Sequence, residues 1–212
     1  MNATVLLLLA VTATAAVLDW IAVHLEIKPL EYLAKPLTMV VLIGAVLAMD
    51  TTYGTARNYF VAALVLSLVG DIFLMLPDRE RWFVFGLGSF LIGHLAYIPG
   101  LLQIGFSVVA FGIGFLIVAV AIATLGLHIV RGVKAKEPKL GPPVALYMSV
   151  ISVMVASAIG TGRFVAIVGA VLFYCSDALI AWNGFIKKHR WGPLGIIVTY
   201  HLAQISLALS LI

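Results

Sequence analysis

The chain has 212 residues, of which 63% are hydrophobic and only 10% charged, and its net charge is +4. A soluble domain runs at about 45–50% apolar and about 25% charged residues, so this composition excludes a soluble enzyme and gives no sign of a nucleic-acid binder. It describes an integral membrane protein, with room for one all-α polytopic bundle of about eight transmembrane helices in a single domain, residues 1–212, at about 20 residues per crossing.

Taken in chain order, the apolar runs predict spans at 3–23, 36–50, 57–76, 83–102, 105–130, 143–160, 163–185 and 193–212. The first has small residues that a signal peptidase could accept but no basic segment before them, so it reads as a span. The second is short and opens at Lys35 and Pro36, and the third carries Ser67 and then Asp71 inside GDIFL, 70–74. The fourth holds His94 and Tyr97 in GHLAYI, 93–98, with Gly86 and Gly93 spaced for close helix packing. The fifth is long and leads into the basic run RGVKAKEPK, 131–139, an orientation signal facing anionic lipid. The seventh contains the single cysteine, Cys175, which rules out an intramolecular disulfide, then Asp177 in SDALI and Asn183 near its end. The last holds Tyr200, His201 and Gln204 in YHLAQI, 200–205. Asp19, Glu26, Glu31 and Asp50 fall near span ends and read chiefly as interfacial.

Eight alternating spans place 11 of the 13 Lys and Arg on one side, leaving only Arg57 and Arg163 opposite. By the positive-inside rule the basic side is cytoplasmic and both termini are not, in the inner membrane if the source is bacterial. GDIFL followed by GHLAYI is echoed by SDALI followed by YHLAQI, with His94 23 residues after Asp71 and His201 24 after Asp177. That likeness suggests two parallel four-helix repeats.

At a rise of 1.5 Å per residue, Asp71, Asp177, His94 and His201 all fall roughly 8–18 Å from the basic end. An ionisable group within a span costs at least about 2.5–3.5 kcal/mol and faces the bundle interior or a wet cavity. Two converging carboxyl groups share protons, which sets an acid beside a base, the pairing that hydrolysis needs. Histidines could orient these groups or bind substrate. Tyr97, Tyr200, Gln204 and Asn183 could hydrogen-bond a head group or simply join helices, and Lys35 can reach inward or snorkel outward. No Walker loop, HExxH, CxxC or GxSxG occurs, so no cofactor is implied. A proton-coupled or small-solute transporter using the buried Asp and His residues, and a metal-dependent lipid hydrolase, remain open readings.

KPLT at 35–38, SLVGDIFLMLP at 67–77, GLGSFLIGHLAYI at 86–98, FYCSDALIAW at 173–182 and YHLAQISL at 200–207 resemble the YhhN-type lysoplasmalogenase family of small polytopic membrane proteins. The resemblance implies hydrolysis of the vinyl ether bond of a lysophospholipid substrate drawn from the membrane, giving a fatty aldehyde and a glycerophospho-head group. It implies Asp71 and Asp177 as the catalytic carboxyl groups and Lys35 as the lysine of the family's KP motif. At 201 the resemblance implies an aromatic residue where this chain has histidine, so it assigns His201 no catalytic part. Lys35, Arg79 and Arg81 are the cations placed to meet the phosphate.

Overall fold

The computed structural model describes residues 2–77 and 79–212, with side chains for all of these except 79–81. It is all-helical, and eight of its helices are long and apolar enough to cross a membrane. They are α1 (Ala3–His24), α2 (Lys28–Ala48), α3 (Gly54–Met75), α4 (Arg79–Ile104), α5 (Val108–Lys136), α6 (Gly141–Gly160), α7 (Phe164–Ile186) and α8 (Gly192–Leu209).

The ends follow from local chemistry. The Asn2 and Ser107 side chains accept hydrogen bonds from Val5 N and Ala110 N and so cap α1 and α5. Prolines open α2, α6 and α8, where a missing N–H costs nothing. After α6, Gly162 takes φ +68°, the left-handed turn that lets the chain reverse within a short loop. The second span begins earlier than the apolar run suggested. Lys28, Glu31 and Lys35 lie at i, i+3 and i+7, and the two lysines meet on the Glu31 carboxylate at 2.8 and 3.1 Å, so the charges neutralise one another along the first two turns. In the fifth span Ile122–Gly126 forms a π-helical turn and the helix runs on to Lys136.

Neighbours in sequence pack as antiparallel pairs, α1 on α2, α3 on α4, α5 on α6 and α7 on α8. Further contacts of α2 with α3, α4 with α6, α6 with α7 and α8 with α1 close these pairs into a bundle. Of the most apolar window of α6, 61% is buried, against 11% for α5, so α6 belongs to the interior and α5 lies on the outside facing lipid. The two ends of the bundle are fixed by contacts between loops. At the basic end His24 stacks on Trp191 and Phe83 meets Phe185. At the other end Arg163 donates to the carbonyls of Ser210 and Ile212 and to the Tyr53 hydroxyl, while Arg57 donates to Met49 O. The two cations that the basic side lacks are thus spent on carbonyls at helix ends, where positive charge is favoured.

Glycines set how closely the helices approach. A Cβ on Gly93 would come within 3.3 Å of Ala63 O, and one on Gly86 within 2.8 Å of the Leu74 side chain, so both permit the α3–α4 contact. A Cβ on Gly169 would lie 2.9 Å from the backbone N of Leu207, an atom that cannot step aside. Gly169→Ala is expected to lose about 1–3 kcal/mol by forcing α7 and α8 apart. Gly44→Ala, where no atom lies within 4 Å, should be neutral or slightly stabilising. Thermal unfolding in detergent checks both.

Candidate active site

Asp71 is buried one turn from the end of α3, and its Oδ2 accepts the Tyr200 hydroxyl of α8 at 2.6 Å. Asp177 is buried in α7, and its Oδ2 accepts the Tyr147 hydroxyl of α6 at 2.6 Å. His94 of α4 brings Nε2 to 3.6 Å from the same Asp177 oxygen. The two carboxyl groups come from residues 106 positions apart (177 − 71), yet rings link them: the Tyr200 that holds Asp71 packs on Phe173, which packs on the His94 beside Asp177. Helices α3, α4, α6, α7 and α8 therefore all contribute to one chamber.

Aromatic rings wall it. Phe173 lies 4.5 Å from the His94 ring and 5.6 Å from the Tyr200 ring, so it stands between the two acid–tyrosine pairs. Phe90 packs on Tyr200 at 5.8 Å, edge to face. Gly70, beside Asp71, leaves space for Phe90, whose ring would be 2.6 Å from a Cβ there. Deeper still, Tyr97 donates to Gln204 Oε1 at 2.6 Å, a bond that ties α4 to α8 below the acids.

An apolar cleft reaches the chamber from the basic end. It runs between Leu74, Phe83, Leu87, Met148, Ile180 and Phe185 and ends on Tyr147 and Asp177. Its volume of about 40 Å³ seats a water molecule but no hydrocarbon chain. A lipid tail would have to part the surrounding side chains.

The residues singled out in the sequence separate into three places. Asp177 borders the cleft, His94 and Tyr200 pack on Phe173, and Asp71 is held by Tyr200, with Tyr97 and Gln204 beneath them. Lys35 is engaged with its own helix, its Nζ donating to Glu31 Oε1 at 3.1 Å. His201 faces away toward α1, where Trp20 Nε1 donates to its Nδ1 at 3.1 Å. Asn183 is outside the chamber, its Oδ1 accepting His189 N at 2.7 Å in the turn between α7 and α8. The side chains of Arg79 and Arg81 lie outside the described residues. Among the described residues no group of three or more His, Cys, Asp or Glu side chains could hold a metal ion.

Two acidic residues differ from their interfacial reading. Asp19 is fully buried against α8, and Glu31 is buried between two lysines. Both lie near span ends in sequence, but the helix turns them inward. Tyr147 went unnoticed because a lone tyrosine near the end of an apolar span carries no signal distinct from an interfacial anchor.

The sequence model of the YhhN family matches residues 30–211. The chain belongs to the YhhN family. The proteins named lysoplasmalogenase from Mycobacterium bovis and Mycobacterium tuberculosis are each 34% identical to it over 172 residues, 79% of this chain and 65% of their own length. The chain thus spans just under two thirds of these mycobacterial relatives. Human lysoplasmalogenase TMEM86B is 31% identical over 178 residues, 84% of this chain and 74% of its own length. No solved structure matches the chain. All the chamber residues fall inside the part that the YhhN family model matches, whereas α1 precedes it.

Tyr147→Phe and Tyr200→Phe each remove a hydroxyl donor from a buried carboxyl group. Each is expected to lower stability by about 1–3 kcal/mol, read as an earlier thermal unfolding midpoint in detergent. A midpoint unchanged in both variants would show that these bonds do not hold the helices together.

Proposed function

We propose that this YhhN-family protein is a membrane hydrolase that cleaves the vinyl ether bond of lysoplasmalogens, releasing a fatty aldehyde and a glycerophospho-head group. The observation that carries the reading is the gathering of the buried Asp71–Tyr200 and Asp177–Tyr147 pairs around one aromatic cluster, with an apolar cleft leading to Asp177. The relatives bearing the name lysoplasmalogenase support it, at about one third identity.

The reaction consumes one water. Proton transfer to the vinyl carbon remote from oxygen gives an oxocarbenium ion, water adds to the carbon bound to oxygen, and the hemiacetal that forms collapses to aldehyde and alcohol. Asp177 borders the cleft where the alkenyl chain would lie, so it is the group placed to give the first proton. Asp71, held by Tyr200, is then the group that receives a proton from the attacking water and faces the cation. Tyr147 and Tyr200 fix the two carboxyl groups by hydrogen bonds, and His94 stands 3.6 Å from Asp177. The aromatic rings offer their negative faces to the developing positive charge. Lys35, released from Glu31, would meet the phosphate.

The basic end of the bundle is read as cytoplasmic, with both termini on the other face. Asp71 and Asp177 sit toward that same end of the third and seventh helices, which supports a parallel duplication of four helices.

Purified protein given lysoplasmalogen should release free aldehyde. Asp71→Asn and Asp177→Asn, each folding normally, are expected to lower that rate by about 100-fold or more. Full activity in both variants would end the two-carboxyl mechanism, and solute uptake into vesicles without aldehyde release would favour a transporter. Orientation is checked separately in a Cys175→Ser background. A cysteine at Lys134 should react with an impermeant thiol reagent only from the cytoplasmic face, and one at Thr51 only from the other.

A further inference from the structure

Behind the chamber, α1 grips α8 through a second polar cluster that the proposed chemistry does not use. Asp19 is 0% exposed, and among the described residues neither of its carboxyl oxygens has a hydrogen-bond donor. His201 is also 0% exposed, and its Nε2 has no partner but lies 3.9 Å from Asp19 Oδ2. Leaving such groups unpaired costs about 1–3 kcal/mol each, more for a charge, so packing alone does not account for them.

The indole of Trp20 settles which way the imidazole faces. Indole N–H only donates, so the His201 Nδ1 that receives it at 3.1 Å must carry a lone pair. The ring proton of neutral His201 is then on Nε2, the nitrogen that faces Asp19. Closing the gap by about 1 Å would make a hydrogen bond. Two adjacent residues of α1 thus bracket both nitrogens of one ring on α8.

We infer that Asp19 and Trp20 are positioning residues that clamp His201 as a neutral Nε2–H imidazole and thereby set the height and rotation at which the neighbouring Tyr200 meets Asp71. Tyr200 precedes His201 on the same helix, so fixing the histidine fixes the tyrosine hydroxyl that Asp71 accepts. The catalytic part of this inference rests on the proposed lysoplasmalogenase activity; the clamp itself does not.

Two measurements test it. Nitrogen NMR of protein labelled with ¹⁵N-histidine, with His201→Gln to assign the signal, reads the tautomer without any substrate. The expected result is a neutral ring protonated at Nε2 in the unaltered protein. In Asp19→Leu the Nε2 signal should move while Trp20 keeps the proton on Nε2, and in Trp20→Phe the Nδ1 signal should move to that of a nitrogen without a donor while Asp19 keeps the proton on Nε2. A ring protonated at Nδ1, or one indifferent to Asp19→Leu, would overturn the clamp. In the aldehyde assay Asp19→Leu is expected to lower kcat by about tenfold while KM stays within about twofold. Asp19→Asn keeps an acceptor oxygen and should recover to within about threefold of the unaltered rate. Equal losses in the Leu and Asn variants, or a loss confined to KM, would overturn the positioning role. Protein that releases no aldehyde at all but shows the Nε2–H ring would sink the lysoplasmalogenase reading and the catalytic role of Asp19, and leave the clamp standing.

Discussion

A carboxyl group inside a membrane-spanning bundle has no bulk water to solvate it, so it must be met by a donor from a neighbouring helix or it weakens the fold. For Asp71 and Asp177 that demand is answered by tyrosine. Tyr200 crosses from α8 to Asp71 on α3, and Tyr147 crosses from α6 to Asp177 on α7. Each bond joins helices that are not neighbours in the closest antiparallel pairs, so the polar groups hold together the hairpins that lipid-like apolar packing leaves free to slide. The interior is specified by where these hydroxyls can reach.

The same arrangement makes the chamber usable. Each aspartate gives one oxygen to a tyrosine, which orients the carboxyl group while leaving its other oxygen for chemistry. Phe90, Phe173 and the His94 ring fill the space between the acids with aromatic edges and faces rather than with flexible aliphatic chains. Rigid walls keep the acids in place, whereas the cleft that leads to Asp177 is lined by Leu, Met, Ile and Phe side chains at the mouth. Those are side chains that can yield to a hydrocarbon tail of similar polarity. Rigidity at the acids and compliance at the mouth suit an amphiphile whose reactive bond sits at the junction of head and tail.

Much of the fold was legible in the sequence because hydrophobic length and the placement of Lys and Arg are direct readouts of the bilayer. The eight spans appeared with ends displaced by a few residues. The largest displacement was at α2, where Lys28, Glu31 and Lys35 neutralise one another and so hide a helix beginning behind charges. Asp71 and Asp177 were legible because charge in an apolar span is rare. Which partners they would find was not. Tyr147 is one tyrosine among 7, and nothing along one helix shows what a different helix will place beside it. Asp19 shows the converse: five residues separate it from Leu25, the cap beyond α1, yet the helix turns it into the interior, and proximity to a span end misread it as interfacial.

Helices α1 and α8 stand at opposite ends of the chain and meet only once the bundle has closed. That contact is polar as well as apolar: Trp20 and Asp19 address the two nitrogens of one buried imidazole. A purely apolar seam between two leucine-rich helices would tolerate sliding by a turn with little loss, because apolar side chains are interchangeable over that distance. An indole N–H aimed at one ring nitrogen does not tolerate it. The first helix therefore contributes position where the later helices contribute chemistry, and Tyr200 connects the two, since it sits beside His201 in sequence and against Asp71 in space.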